Sequence, residues 1–400
     1  MKKPTTSRRP VPPFRVHAMV SGLDMVSRMD LDYFRQVALG VRRYGFSTGR
    51  LVFTDRWLGP EIENGLEARV RSEGIQGIVA ALHDSEMERR YAALNVPVVN
   101  ISNSTLKPLV PVVTQDDEGV GRLAAAHLLA CGCRAFGFWG QAERSYAIER
   151  RAGFSAALAA SGKSAVMAEA FNGPETTGEL YARMRTWLAA QARPLGVFAV
   201  LDTYALLLIR AARDMGWRVP EDVAVLGAGD DDFWVEFEST PLSSVRLPAR
   251  QIGYEAAALL DRMITQGVRR AEGRRLPVSE IAERKSTDVI YIEDGAVAKA
   301  AKFIREHAEG NPYVGDVVKA AGVSRSALQA RFRAAMGRTI LDEIQRVRVS
   351  RAQALLANTD LKLAMVAERC GFPNSQRFSV LFRQVAGLSP SEYRRQFREG

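Results

Sequence analysis

The chain contains 400 residues, 47% of them hydrophobic, which is enough to form two or three separate hydrophobic cores. No apolar run approaches the roughly 18 residues of a membrane-spanning helix, and residues 1–15 are basic and proline-rich without the apolar core of a secretory signal. We therefore expect a cytoplasmic protein with no membrane partner and a flexible N-terminal tail over residues 1–15. The three cysteines, Cys131, Cys133 and Cys370, have no histidine or cysteine cluster nearby, so we expect buried thiols and no metal.

The formal net charge of +10 is unevenly distributed along the chain. Residues 1–15 carry five basic residues and no acidic one, and residues 288–400 carry 18 Lys+Arg against 12 Asp+Glu, whereas residues 16–287 are almost neutral. A nearly neutral body joined to a basic C-terminal region favours a neutral ligand for the first and a polyanion for the second. The alternative is chance variation in surface arginines.

Residues 16–287 alternate short apolar runs with segments of helical periodicity. The predicted strands include "IQGIVAAL", "VPVVNIS", "GVFAVLD" and "VAVLGAG", which are rich in Val and Ile and bounded by Gly, Pro or Asn. The predicted helices between them include "LDYFRQVALGVRRYG" and "YALLLIRAARDMGW". This alternation predicts parallel sheets covered by helices. Because the number of predicted strands exceeds one comfortable sheet, we expect two α/β lobes with a cleft between them.

From about residue 294 the periodicity is helical throughout, and it contains a repeat. "DVVKAAGVSRSALQARFRAAMG" (316–337) and "MVAERCGFPNSQRFSVLFRQVAG" (365–387) each read as a helix, a glycine C-cap, a short turn and a second helix with aromatic anchors. Gly322 and Gly371 take equivalent places in the two copies, as do Phe332 and Phe382. We therefore predict an all-α domain over residues 288–400 with two helix-turn-helix units.

This repeat resembles the AraC/XylS-type DNA-binding domain, including that family's ending, a glycine followed by Pro-Ser-Glu-Tyr-Arg. The resemblance implies that both second helices enter successive major grooves on one face of double-stranded operator or promoter DNA. It also implies a homodimer and, where the regulator activates, contact with RNA polymerase. A solvated polar face with no reading role is the alternative.

The polar faces of the two second helices carry side chains suited to DNA. Arginine can donate to both guanine acceptors, and glutamine can pair with adenine, so Arg325 and Gln376 are the strongest predicted base readers. Other arginines are more plausible phosphate contacts, with a solvated surface role as the alternative. The predicted base readers are Arg325, Ser326, Gln329, Ser375, Gln376 and Ser379, and the predicted phosphate contacts are Arg331, Arg333, Arg377 and Arg383.

Residues 16–287 resemble the sugar-sensing core of the lac-repressor and periplasmic sugar-binding superfamily. The resemblance is carried by "FGFWG", "ERRAGF", "VFAVLDTYA", "PEDVAVLG" and "ERKSTD". Ordinary lac-repressor relatives place their helix-turn-helix at the N-terminus, whereas this chain has its helix-turn-helix pattern at the C-terminus. The resemblance implies a two-lobed, periplasmic-binding-protein-like sensor followed by the DNA-binding domain.

The same resemblance implies particular contacts with a sugar-like effector. Arg150 matches the arginine that binds sugar hydroxyls, and Asp202 matches a hydroxyl-accepting Asp or Asn. A paired Arg and Asp suit vicinal hydroxyls, which donate and accept together. Gln251 and, more weakly, Asp84 are further candidates. The alternative for each is a structural role.

Two departures from the sensor family bear on the effector. Gly229 stands where family members have a ligand-binding Asp, so either Asp230 replaces it or the effector lacks that contact. The segment 21–36 is long and places Tyr33 and Phe34 near the cleft rim, where Tyr33 could stack on a sugar face or simply pack in the core.

The interpretation we favour is a sugar-responsive transcription regulator, more plausibly an activator, although repression by occlusion would use the same binding chemistry. We also consider an exported solute-binding protein, a sugar-processing enzyme and a regulator whose cleft has lost its ligand. No paired-carboxylate, nucleophile–base or phosphate-loop motif is present, so we expect no catalytic residues, no enzyme activity and no cofactor.

Overall fold

The computed structural model describes residues 14–19, 31–53, 65–141, 143–170, 176–230, 239–289, 291 and 294–397. Residues 1–13 of the predicted tail and residues 21–30 of the long N-terminal segment lie outside this range. The chain divides into two compact units, one made of residues 1–116, 143–146 and 248–276 and the other of residues 117–142, 147–247 and 277–400. The C-terminal helices therefore share a unit with one of the two sheets.

Regular elements follow one another in the order that the sequence predicts, with strands and helices alternating before residue 290. They are β1 (Phe14–Met19), α1 (Leu31–Thr48), β2 (Leu51–Phe53), α2 (Leu66–Ser72), β3 (Gly77–Ala80), α3 (Ser85–Ala92), β4 (Val98–Asn100), β5 (Val113–Gln115), α4 (Asp117–Ala130), β6 (Ala135–Gln141), α5 (Ser145–Ala160), β7 (Ala165–Ala170), α6 (Thr177–Ala189), β8 (Leu195–Ala199), α7 (Asp202–Asp214), β9 (Val223–Gly229), β10 (Ser243–Arg246), α8 (Ala249–Gln266), β11 (Arg274–Leu276) and β12 (Ile281–Ala282).

In the described part of the C-terminal region, every regular element is a helix. They are α9 (Gly295–Glu306), α10 (Val314–Ala321), α11 (Arg325–Met336), α12 (Ile340–Asn358), α13 (Leu363–Arg369), α14 (Ser375–Ala386) and α15 (Pro390–Phe397).

The first unit contains a four-stranded parallel sheet in the order β2-β1-β3-β4 and a two-stranded parallel pair, β11-β5. Helices α1 and α8 cross in close contact in this unit. A Cβ added to Gly40 would lie 1.9 Å from the Arg250 carbonyl oxygen, and one added to Gly253 would lie 1.9 Å from the Val37 carbonyl oxygen. The two glycines therefore allow a backbone approach that no larger residue permits.

The second unit contains a six-stranded sheet in the order β12-β10-β9-β8-β6-β7, parallel except for the β10–β12 pair. Strand β8 is buried at every position, and β6 and β9 are buried at nearly all of theirs, because helices cover both faces. Strand β6 lies between β7 and β8, so the strand order reverses there. The carboxyl ends of strands at such a reversal form a crevice that commonly binds ligands.

The C-terminal helices confirm the two predicted helix-turn-helix units, α10–α11 and α13–α14, which are joined by the long helix α12. Glycines in the left-handed region end the first helix of one unit and follow the first helix of the other, with φ of 69° at Gly322 and 72° at Gly371. One hydrophobic core surrounds Leu328 and Phe332, and a second surrounds Phe378 and Phe382. The fold class predicted from the sequence is therefore correct.

Within the described parts of the chain, no helix combines the length and the apolar character needed to cross a membrane. All three cysteine thiols are free and buried.

Candidate functional site

Arg150 lies at the carboxyl end of the six-stranded sheet and is held by two fixed partners. Its side chain, on α5, is only 2% exposed. Nε donates to Oδ1 of Asp117 at 2.8 Å, and Nη1 donates to the Val200 carbonyl oxygen at 2.5 Å. Asp117, the first residue of α4, is fully buried. Its carboxylate therefore balances the charge of the guanidinium at a place that solvent does not reach. The guanidinium is thus fixed beside the end of β8.

Asp202, the first residue of α7, joins the ends of two neighbouring strands. One carboxylate oxygen accepts a hydrogen bond from the Ser244 hydroxyl on β10 at 2.6 Å. The other accepts from the backbone N–H of Asp230, just after β9, at 2.7 Å. Asp202 is 4% exposed, so both bonds form away from bulk water.

Gly229 and Asp230 adopt backbone conformations with positive φ, 146° and 60°. A Cβ at position 229 would lie 2.9 Å from Oδ2 of Asp202, so an aspartate there would require both strain and displacement. The Asp230 carboxylate accepts from Nε of Arg246 and from Nη1 of Arg284, each at 2.7 Å. The carboxylate is therefore bound by two arginines of its own unit. Asp231 and Asp232 lie outside the described residues.

The three remaining effector candidates lie in the first unit. Asp84 caps α3, and its Oδ1 accepts from the backbone N–H groups of Glu86 at 2.9 Å and Met87 at 2.8 Å. Tyr33, half-buried on α1, donates from its hydroxyl to Oε1 of Gln115 at 3.3 Å and packs edge-on against Phe34. Gln251 is half-buried near the start of α8.

The structure thus brings Arg150, Asp202 and Asp230 together in one unit. Sequence reasoning missed the residues that hold these three in place, because each acts through a partner distant in the sequence. They are Asp117, Ser244, Arg246 and Arg284. One signal was available: Arg284 belongs to the "ERKSTD" run that carries part of the family resemblance.

Helices α11 and α14 present the residues predicted to meet DNA. Each has 12 residues and begins at a side-chain cap: Ser324 accepts from the third helical N–H of α11, and Asn374 from that of α14. All ten predicted contact residues are exposed except Ser379, which is half-buried and donates to the Ser375 carbonyl oxygen at 2.9 Å. The anchors on the opposite side are buried, so each helix shows its polar face outward.

Arg331, one of the predicted phosphate contacts, already has a partner within the protein. It donates to both carboxylate oxygens of Asp294, one of them at 2.6 Å, and Asp294 also caps α9. The hydrogen bond from Arg331 lowers the pKa of the Asp294 carboxyl. This pair ties α11 to the start of the helical domain.

Among the residues that the structure describes, no group of three or more His, Cys, Asp and Glu side chains could hold a metal ion.

Comparisons with known proteins bear on both regions. A family model for a periplasmic binding protein-like domain matches residues 125–287, and one for a helix-turn-helix domain matches residues 317–396. The xylose operon regulatory protein of Escherichia coli (strain K12) is 30% identical over 326 residues, which is 80% of this chain and 83% of that protein. This chain belongs to the family of xylose operon regulators. As such, it is a DNA-binding transcription regulator whose helix-turn-helix domain follows its sensor-like domain.

The structure of this regulator is also similar to solved structures of other transcription regulators. The structure of a xylose-binding transcription activator matches with 28% identity and a TM-score of 0.58, covering 96% of this chain and 98% of that one. A complex of the transcriptional regulator CelR with cellobiose matches with 26% identity and a TM-score of 0.55, covering 69% of this chain and 86% of that one.

Proposed function

We propose that this regulator binds a sugar-like effector at the carboxyl end of its six-stranded sheet and that occupancy changes how its helix-turn-helix units engage operator or promoter DNA. The observation that carries this proposal is the fixed, buried guanidinium of Arg150 at the strand reversal beside β6 and β8. The planar guanidinium presents its donors in a rigid fork, which suits adjacent hydroxyl oxygens. The relatives named for xylose and cellobiose support the same ligand class.

Within this proposal, the acidic residues of the second unit have different roles from Arg150. Asp202 and Asp230 use their carboxylate oxygens on protein donors, so they position the strand ends against which the effector binds. The assignment of Gln251 and Tyr33 to the effector stays a prediction from the resemblance, since both lie in the first unit. Asp84, also in the first unit, acts as a helix cap, and its contact with the effector stays a prediction.

The DNA side of the proposal assigns base reading to the six residues predicted for it and phosphate binding to Arg333, Arg377 and Arg383, with Arg331 dividing its charge between Asp294 and DNA. We propose that the regulator acts in the cytoplasm as a homodimer, as its resemblance to the AraC/XylS-type family implies. We further propose activation through RNA polymerase. The ligand must bind one conformation more tightly than the other, or it shifts nothing.

A thermal-melt screen of the full-length protein tests the effector site. Pentoses, hexoses, uronic acids and their phosphates would each be added, and a ligand at about 100 times its Kd stabilises the folded state by roughly 2.7 kcal/mol. We expect at least one sugar to raise the Tm and Arg150→Lys to abolish that rise, because lysine keeps the charge beside Asp117 but loses the fork.

Gln376→Ala is the matched control, since it lies on the DNA face and should leave the sugar-dependent shift intact. If no sugar raises the Tm of a protein that still binds specific DNA, the sugar proposal is wrong, which leaves an effector of another class or a regulator that no longer binds a ligand.

A further inference from the structure

The two reading helices share one frame, so their exposed positions can be compared one by one. A shift of 50 residues superimposes the caps Ser324 and Asn374, the anchors Phe332 and Phe382, and the terminal Gly337 and Gly387. Both glycines are in the left-handed region, with φ of 67° and 77°. The cap, one aromatic anchor and the terminal glycine thus take the same places in both copies, so their exposed positions can be matched.

The outward sides have different chemistry. Helix α11 exposes Arg325 and Gln329, whereas α14 has Ser375 and the half-buried Ser379 at the matching places. Val380, which is 69% exposed, takes the place of the smaller Ala330 and adds a branched apolar side chain to the outward face. It lies four residues after Gln376 and three before Arg383, so these three side chains share one face of α14.

We infer that Val380 is a specificity-determining residue that reads the 5-methyl group of a thymine next to the base that Gln376 contacts. Among the major-groove edges of the four bases, only thymine offers an apolar group. A branched aliphatic side chain between a glutamine and an arginine therefore fits an A·T-rich step, while the arginine of α11 fits guanine. This inference rests on the proposed DNA-reading role and adds that the two DNA segments contacted by α11 and α14 differ in base composition.

Replacing single thymines by uracil tests this inference atom by atom. A binding site is first selected from random duplexes with the full-length protein, and each thymine is then replaced by deoxyuridine, which pairs identically but lacks the methyl group. We expect one replacement in the segment contacted by α14 to weaken wild-type binding about fourfold, the equivalent of roughly 0.8 kcal/mol for one buried methyl-sized group. The same replacement should leave the DNA affinity of the Val380→Ala variant unchanged.

Val385→Ala is the control, because Val385 is also exposed but lies five residues further along α14. It should keep the full uracil effect. If no thymine shows coupling to position 380, the inference is overturned. Failure of the proposed function looks different, since random duplexes would then yield no selected sequence.

A separate observation concerns the Asp230 carboxylate, from which two chains of contacts run into the helical domain. In the first, Arg246 bonds Asp230 and also donates to Oε1 of Glu280 at 2.6 Å. The preceding residue, Ser279, accepts from the Tyr393 hydroxyl at 2.8 Å. Tyr393 lies on α15 and is 1% exposed, and burial raises its pKa to about 12, so the phenol remains a donor at neutral pH.

Tyr393 connects this chain to the second reading helix. Its ring packs edge-on against Phe382, an anchor of α14, with 5.3 Å between ring centroids. A displacement of Ser279 is therefore transmitted to the packed side of α14 rather than absorbed by solvent.

The second chain reaches the start of the helical domain. The backbone N–H of Arg284 donates to the Ser243 hydroxyl at 2.8 Å, and the Thr287 hydroxyl donates to the same oxygen at 2.7 Å. Thr287 is also 2.8 Å from Nε2 of His127, in α4. At the end of that helix, the Ala130 carbonyl oxygen lies 3.5 Å from Nη2 of Arg305, on α9.

We propose that Asp230 is a positioning residue that couples the strand ends of the sensor to the helix-turn-helix units. This second proposal also rests on the proposed function. Removing one negative charge with Asp230→Asn weakens its hold on both arginines, and we expect the affinity for the selected DNA to change by at least threefold. The Tyr393→Phe substitution removes only the hydroxyl. In a protein that carries it, Asp230→Asn should change the logarithm of the DNA affinity by less than half as much as in the wild type.

Tyr313→Phe is the matched control, because it removes the same atom from a tyrosine that is 73% exposed. The effect of Asp230→Asn should persist fully in that background. Arg246→Lys provides a second disruption if Asp230→Asn does not fold. Equal effects of the sensor substitution in all three backgrounds would overturn the coupling role, whereas a wild-type protein that selects no DNA would overturn the proposed function itself.

Discussion

The strand-end cluster of the sensor and the reading faces of α11 and α14 use charge in opposite ways. At the strand ends, Arg150, Asp117 and Asp230 are at most 8% exposed, and each has a fixed partner of opposite charge. On the reading faces, residues such as Arg325 and Arg383 point into solvent. Buried pairs fix geometry and are expensive to break, whereas exposed charges add little stability and remain available to a polyanion. Substitutions in the two regions should therefore separate stability from DNA affinity.

The largest expected effect comes from breaking the buried pair at the strand ends. Asp117→Ala leaves the Arg150 guanidinium buried without its carboxylate, which lowers the free energy of unfolding by about 3–5 kcal/mol. Chemical denaturation followed by circular dichroism measures this loss. Arg122→Ala is the control, because its pair with Glu118 is exposed at both ends and should change stability by less than about 1 kcal/mol. Similar small losses of stability in both variants would contradict the expectation that the buried pair is more costly to break than the exposed pair.

Glu343 on α12 tests the same principle inside the helical domain. It is 1% exposed and accepts from Nε and Nη2 of Arg346 at 3.0 and 2.9 Å. Burial alone would raise the pKa of its carboxyl, but the hydrogen bonds and charges of Arg346 and Arg338 outweigh burial and lower it. Its ionised form therefore stabilises the fold above the unfolded-state pKa of about 4.3, and this contribution is lost as the pH falls through the lowered value.

We accordingly expect Glu343→Gln to reduce stability by about 2 kcal/mol at pH 7, the scale of a charge-assisted hydrogen bond. The difference from wild type should narrow as the pH falls below about 4. Denaturation curves at pH 7, 5 and 3.5 measure it. A difference that stays constant over this range would show that the ion pair does not stabilise the domain.

Base-reading substitutions should affect affinity without affecting stability. Arg325→Ala and Gln376→Ala each remove one predicted base contact, so the affinity for the selected DNA should fall by about 1–3 kcal/mol while binding to random duplexes changes little. Fluorescence anisotropy at fixed salt measures both affinities. An unchanged sequence preference in both variants would remove these residues from the reading role.

The smallest effects are expected from substituting the arginines predicted to contact phosphate. Arg331 should differ from the others in this group. Arg333→Ala and Arg383→Ala should each reduce the slope of log affinity against log salt by about 1. Arg331→Ala should reduce it less, because Asp294 already binds that guanidinium. A larger change in slope for Arg331→Ala than for the other two would mean that DNA displaces the Asp294 pair.

The sequence was sufficient for the architecture and only partly sufficient for the site. Alternating strand and helix periodicity predicted parallel sheets, and the repeat around Phe332 and Phe382 predicted both helix-turn-helix units, because these patterns are local. The partner of Arg150 could not be predicted in this way, since Asp117 lies 33 positions upstream and meets it only through the fold. The partner of Arg331 is similarly distant, 37 positions away.

Gly229 is a second feature that the sequence alone could not explain. The sequence showed a glycine where the family has an aspartate, but not why. The structure gives a physical reason: at φ of 146° a side chain would be strained and would have to displace the Asp202 carboxylate. A backbone conformation of this kind is decided by neighbouring strands rather than by local propensity.

The central claim is that a sugar bound at the sensor changes DNA binding by the helix-turn-helix units. The most direct measurement is an anisotropy titration of the full-length protein onto the selected DNA, with and without a saturating amount of the sugar that raises the Tm most. We predict that the apparent Kd changes by at least fivefold, the lower end of typical allosteric coupling, and that Arg150→Lys removes this change. Superimposable titration curves with and without the sugar, at a concentration that still raises the Tm, would contradict the claim.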